Sequence, residues 1–268
     1  MKPLSLLSLI FLTTLVFFAI FLPFLSNTDP NTFNPDLIGD ALAPSLTNWF
    51  GTDDLGRDLF IRTFSGAKIS ILVAVVSVSI SISIGLILGL ISGYSSKTID
   101  SILMRFVDLM MAIPTIFLIL TIQVILTPSI WNVMIVIGLT SWMGVTRIVR
   151  AEVLSIREQL FITAAKARGI SNTKLLFKHI LPHTLPPVIV AATLGMGSAI
   201  LTESVLSFLG LGVQPPNASW GNMLDNSLGY MRDSPWMAIV PGTFITLTVL
   251  ALNILGDDCR AKFNPKET

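Results

Sequence analysis

Apolar residues fall into six long, nearly uncharged runs, at residues 4–25, 69–91, 102–126, 131–149, 185–209 and 236–255. A helix needs about 20 mostly apolar residues to cross the hydrocarbon core of a bilayer, where every backbone N–H and C=O must find its partner inside the segment. The pattern therefore predicts six spanning helices. Within the second run, Val76 to Ile84 alternates apolar residues with serine as a strand would. The length of the run decides for a helix. The first run is longer than a typical signal core, and Phe21-Leu-Pro-Phe-Leu25 offers no Ala-x-Ala-like cleavage site, so it is expected to stay as the first span.

Small residues add detail to these spans. Ser77, Ser81, Gly85, Gly89 and Gly93 recur at every fourth position and form one stripe on the second helix. Lipid supplies no hydrophobic drive between helices, so close backbone approach along such a stripe is a principal means of association. The stripe serves either packing within the bundle or sliding against a partner subunit. Prolines at 114, 186, 187 and 241 interrupt the third, fifth and sixth spans and permit kinks there.

Composition excludes a soluble domain. Apolar residues make up 52% of the 268 and charged residues 12%, about half the usual charged share, and the mean hydropathy is +0.78. One cysteine (Cys259) and two histidines (His179, His183) leave no disulfide framework and no cysteine-based metal site. The histidines stand four apart around Pro182 without further donors, so no metal site is assigned.

The placement of charge sets the orientation. With the N-terminus inside, thirteen of the seventeen lysines and arginines face the cytoplasm, and only Arg57, Arg62, Lys68 and Arg232 lie outside. Both termini and the loop 151–183 are then cytoplasmic, while 26–66 and 210–235 face outward. The chain divides into a first helix with its outer loop (1–66), a transmembrane core (67–256) and a tail (257–268).

Two carboxylates interrupt the apolar runs, and such residues usually face protein or water. Asp108 has Arg105 three residues before it on one helical face, which predicts an ion pair between them. Glu203 has no base on its own helix. It is either a cavity-lining or coupling residue or a buried, hydrogen-bonded acid.

The outer segment Gly51-Thr-Asp-Asp-Leu-Gly-Arg-Asp58 nearly matches a phosphate-binding loop but carries Arg57 for the lysine and Asp58 for the hydroxyl that holds magnesium. Asp53, Asp54, Arg57 and Asp58 are expected to form a polar cap before the second span, and the rest of the loop, 27–49, to form turns where an extracytoplasmic partner docks. Trp220, in the second outer loop, is expected to anchor at the interface.

The loop 151–183 reads as helix, glycine turn, helix. Gly169 closes the first helix, Ser171 or Asn172 caps the second, and Pro182 ends it. Lys166, Arg168, Lys174 and Lys178 rim the unit, Ala164 and Ala165 keep the first helix thin, and Leu175, Leu176, Phe177, Ile180 and Leu181 give the second an apolar side. By physics alone this is either a basic hairpin resting on anionic lipid or a docking element.

Ala164-Ala165, Gly169 and Leu181-Pro182 resemble, in residue and spacing, the "EAA" loop of ABC-importer permeases, with Thr163 where that family often has Glu. Phe50-Gly-Thr-Asp-Asp-Leu-Gly-Arg-Asp58, Glu203-Ser-Val-Leu-Ser-Phe-Leu-Gly-Leu-Gly212, Trp220-Gly221 and Asn253-Ile-Leu-Gly-Asp257 resemble the second permease of dipeptide, oligopeptide and nickel importers. The tail, Asp258-Cys-Arg-Ala-Lys-Phe-Asn-Pro265, departs from the family's usual ending.

The resemblance implies an all-α, six-span permease of type I architecture in a bacterial or archaeal cell membrane. It implies a homologous permease beside the chain, two ATPase subunits beneath that hold ATP and magnesium, and a solute-binding protein outside. The chain itself would carry no catalytic residue, metal or cofactor and would bind no nucleic acid. Thr163, Ala164, Ala165, Gly169, Leu181 and Pro182 would form the coupling loop, and Glu203 and Asp108 would serve the path or its gating. Gly51, Thr52, Asp53, Gly56, Arg57 and Asp58 would form the outer motif. Gly85, Gly89 and Gly93 would pack helices. The implied cargo is a peptide, with nickel or a metal chelate as the alternative. A secondary transporter would need matching halves, and an intramembrane enzyme would need a nucleophile with a base; neither is visible in the chain.

Overall fold

The protein is described by a computed structural model covering residues 3–26 and 29–263, which contains no strand among the described residues. Five helices are long and apolar enough to span a bilayer: α1 (Pro3–Leu25), α2 (Leu59–Tyr94), α5 (Ile130–Arg157), α8 (Leu181–Phe208) and α10 (Trp236–Phe263). The sixth expected span is a bent pair, α3 (Lys97–Ala112) and α4 (Thr115–Ile125), whose axes differ by 79°. A single kinked helix over 102–126 is thereby corrected. Pro114 lacks an N–H and clashes with a helical residue before it, and Ile113 is accordingly extended, at φ −86 and ψ 123. The 11 residues of α4 reach about 16 Å, too short to cross alone.

The bundle is built around α2. Its 36 residues extend about 54 Å, well beyond a hydrocarbon core of about 30 Å. The helix starts before the 66/67 boundary because Asp58 caps it, accepting from the N–H groups of Phe60 (2.7 Å) and Ile61 (3.2 Å). The small-residue stripe faces α5. A Cβ added at Gly85, Gly89 or Gly93 would lie 2.6, 2.6 and 2.7 Å from the Cβ atoms of Val145, Val149 and Val153. Gly138 of α5 returns the fit against Ile80 of α2, and the Ser77 hydroxyl donates to the Met134 carbonyl at 2.9 Å. These contacts lie within one chain. On the outer side of the bundle α1 rests on α2, with Phe18 and Phe64 ring centroids 5.3 Å apart, and on α10.

Two short helices follow α5, namely α6 (Leu160–Ala167) and α7 (Asn172–Leu175), and α9 (Trp220–Ser227) lies between α8 and α10. Pro182 does not end α7, contrary to the sequence expectation. One π turn, Leu176–Ile180, carries α7 into α8, and Pro182 sits in the first turn of α8.

Candidate functional site

The loop 151–183 is held from one side and open on the other. Ile162 and Ala165 of α6 are buried in a cluster with Val149, Val153 and Ile156 of α5 and Leu175 and Ile180 of the following turns. Leu160, Ala164 and Ala167, spaced i, i+4 and i+7, lie on the outward face together with Thr163, and Leu160 is 87% exposed. Such a helix presents a small apolar ridge suited to a groove in another protein. The reading of the sequence missed Leu160; the spacing to Ala164 and Ala167 was its signal.

Gly169 makes the turn possible. It adopts φ +75, its N–H bonds to the Lys166 carbonyl (2.9 Å), and the Ile170 N–H reaches back to the Ala165 carbonyl (3.3 Å), the two bonds of a Schellman cap. Nothing lies within 4 Å of a Cβ placed there. Asn172, expected as a cap, accepts from the Tyr94 hydroxyl at 2.9 Å and so ties the unit to the end of α2. His183 sits with its ring centroid 5.4 Å from that of Phe161, joining α8 to α6. Leu181 is half-buried and Pro182 exposed at that junction.

The outer motif forms a closed polar knot. Asp53 accepts from the backbone N–H groups of Leu55 and Arg57 and from Arg57 Nε at 2.7 Å, and Arg62 Nε lies 3.4 Å away. All three charged side chains are buried. Arg62 also donates to the Pro30 carbonyl, fastening the loop to α2. Thr52 accepts from the Leu42 N–H through its hydroxyl and from Trp236 Nε1 through its carbonyl. Gly51 and Gly56 have positive φ; at Gly51 a Cβ would stand 2.6 Å from the Leu42 carbonyl oxygen. Burial, followed by the Asp53 carboxylate, pushes the Asp54 carboxyl above the ordinary range.

Glu203 is fully buried near the outer end of α8. The Ser70 hydroxyl of α2 donates to one oxygen at 3.0 Å and Ser207 to the other at 2.6 Å; Ser207 in turn accepts from the Val213 N–H. Glu203 thus fastens α8 to α2 and the second outer loop, and it lines neither of the cavities that border α8. Trp220 corrects another expectation. Its side chain is fully buried and donates to the Thr63 carbonyl at 3.0 Å, so it nails α9 to α2 where an interfacial anchor was expected.

Asp108 does not pair with Arg105. It pairs with Arg147 of α5, with side chains 56% and 46% exposed. One turn further on, Arg150 grips Asp100 through two bonds of 2.6 and 2.7 Å. The helix-local partner lost because both acids of α3 turn toward α5. Two cavities open beside these elements. One of about 680 Å³ lies between α5, α8 and α10 and includes Glu152, His183, Pro186, Pro187 and Arg260. The other, about 320 Å³, lies between α2, α5 and α8 and is edged by Ser77, Ser81, Ser141, Ser198 and Thr202.

The long apolar helices thus carry a ridged loop turned at Gly169 on one side and a fastened polar cap on the other. Residues 85–266 match the family described as binding-protein-dependent transport system inner membrane component, and residues 1–44 match the N-terminal TM domain of oligopeptide transport permease C. The chain belongs to the first of these families, and it is a multi-pass membrane protein of the ABC-importer permease class.

Its relatives include the dipeptide transport system permease protein DppC of Alkalihalophilus pseudofirmus, 43% identical over 98% of this chain and 86% of that protein. The oligopeptide transport system permease protein OppC of Bacillus subtilis is 38% identical over the same shares. The probable D,D-dipeptide transport system permease protein DdpC of Escherichia coli is 40% identical over 99% of this chain and 88% of that one. Among solved structures, the inward-facing methionine ABC transporter MetNI aligns with TM-score 0.61 at 18% identity, covering 73% of this chain and 94% of its own. The expected type I permease fold is therefore the fold observed.

Proposed function

We propose that this chain is one of two homologous permeases enclosing the path of an ATP-driven importer of di- or oligopeptides in a bacterial or archaeal cell membrane. The single observation that carries the coupling role is the ridge of Leu160, Ala164 and Ala167, mounted on a buried base and hinged at Gly169. Two cytoplasmic ATPase subunits receive that ridge, bind ATP and magnesium themselves, and drive the helices between outward and inward openings. A solute-binding protein delivers cargo to the outer loops around residues 51–58. The two cavities beside α8 form this chain's share of the wall. The names of the relatives favour peptides over nickel or a metal chelate.

Two measurements test this reading. Purified under mild conditions, the chain should bring down ATPase subunits, and Leu160→Glu should abolish that association while the permease stays in the membrane. Gly169→Val, in the complete transporter, should stop uptake of labelled dipeptide with membrane abundance unchanged. Uptake that persists without any ATPase subunit would sink the proposal.

A further inference from the structure

With Asp108 turned to Arg147 and Asp100 to Arg150, the charges of α3 are unevenly distributed. Both acids are neutralised by α5. Lys97 and Arg105 are exposed, with no ion-pair partner among the described residues. Lys97, Ser101 and Arg105 recur every fourth residue and share a helical face, and with Thr98 and Ile102 they line a shallow concavity of about 370 Å³. Beside it runs an exposed apolar stripe at alternating spacings of three and four: Ile99, Ile102, Phe106, Leu109 and Ile113. Of the 16 residues in α3, only Val107 is buried in the bundle. The helix follows directly on the end of α2 that the charge bias assigns to the cytoplasm, and the 79° bend at Pro114 frees it from the direction of α4.

We propose that the first turns of α3 lie at the cytoplasmic leaflet, the rest of the helix continuing with α4 into the bilayer, and that Lys97, Ser101 and Arg105 hold the phosphate of an anionic phospholipid, whose acyl chains run along the adjacent apolar stripe. A basic stripe beside an apolar one is the arrangement by which a helix rests in the interface. Lys97 and Arg105 lie about 12 Å apart along the axis, a distance their long side chains close from both ends onto one headgroup. A phosphodiester accepts from an ammonium, a guanidinium and a hydroxyl at once. A zwitterionic lipid brings its own cation and gains less. The Asp–Arg pairs to α5 contribute by removing two carboxylates that would repel the headgroup. A partner of opposite charge is what the exposed bases call for, and the bilayer surface is the partner this position guarantees.

The test uses the complete transporter in nanodiscs containing phosphatidylcholine and a photoactivatable phosphatidylglycerol. Peptides of α3 should be labelled, and Lys97→Gln with Arg105→Gln should weaken labelling about five-fold for each base removed, which is about 1 kcal/mol apiece. Arg105→Lys should preserve most of it, and Arg232→Gln on the outer side should leave it unchanged. Equal labelling of the wild type and the double variant would overturn the site. So would displacement of the lipid by inorganic phosphate, which would make the ligand a soluble anion. Protection of α3 from the probe in the assembled transporter would assign the face to the second permease and equally overturn the proposal.

Discussion

The two ends of this bundle solve the same problem, a loop between helices, with opposite physics. At the outer end the polar groups are buried and fastened: Asp53, Arg57 and Arg62 are 4%, 7% and 2% exposed, and Trp220 and Trp236 donate across elements to Thr63 and Thr52. At the inner end Lys166, Arg168, Lys174 and Lys178 are exposed, α6 sits on two buried side chains, and a Cβ at Gly169 would meet nothing within 4 Å. The outer end is a frame, and the inner end is a joint. In the proposed cycle the push arrives at the joint, and the long helices α2, α5 and α8 carry it toward a frame that holds its own geometry.

The largest expected effect lies in the frame. Asp53→Ala leaves two buried arginines without their carboxylate, and breaking a buried pair from one side costs about 3–5 kcal/mol. Thermal unfolding of the purified protein in detergent should fall steeply, or the protein should fail to accumulate. Retention of the wild-type midpoint would show that water reaches Arg57 and Arg62, and the contrast between the ends would lose its basis.

Gly51 and Gly169 sharpen the contrast, because both have φ +75. In either place alanine incurs the left-handed penalty of about 1–2 kcal/mol. At Gly51 the new Cβ also meets the Leu42 carbonyl at 2.6 Å and Trp236 at 2.8 Å, adding about 1–3 kcal/mol of overpacking. Gly169→Ala meets nothing. The expected result is a stability loss at Gly51 about twice that at Gly169, with the Gly169 variant defective mainly in ATP-driven uptake. Equal losses would mean that the inner turn is as enclosed as the outer one.

How much of this was legible in the sequence follows the same division. Gly169 and Ala164-Ala165 could be found by spacing alone, since a C-cap and a thin helix are local properties. The spans were visible because bilayer thickness is a length written directly into the chain. The break at Pro114 was not, since a proline within an apolar run serves equally for a kink or a corner, and only packing chooses. Trp220 looked interfacial because its burial depends on Thr63, 157 residues away. Glu203 offered two readings, and the hydroxyl of Ser70, 133 residues distant, joins Ser207 of the acid's own helix in holding it by hydrogen bonds.

Asp108 is the smallest test and bears on the same division. Sequence proximity favoured Arg105, yet the pair forms with Arg147, and about half of each side chain faces outward. An exposed pair contributes about 0–1 kcal/mol, since solvent screens it and two flexible side chains must be ordered. Asp108→Ala should therefore shift the unfolding midpoint far less than Asp53→Ala, although both remove one aspartate from an arginine. The double variant Asp108→Ala with Arg147→Ala should lie within about 1 kcal/mol of the sum of the single changes, the coupling expected of an exposed pair. A coupling as large as that of a buried pair would place Asp108 in low dielectric within the assembled transporter, against the second permease. The inner end would then be a frame as well, closed only in the complex.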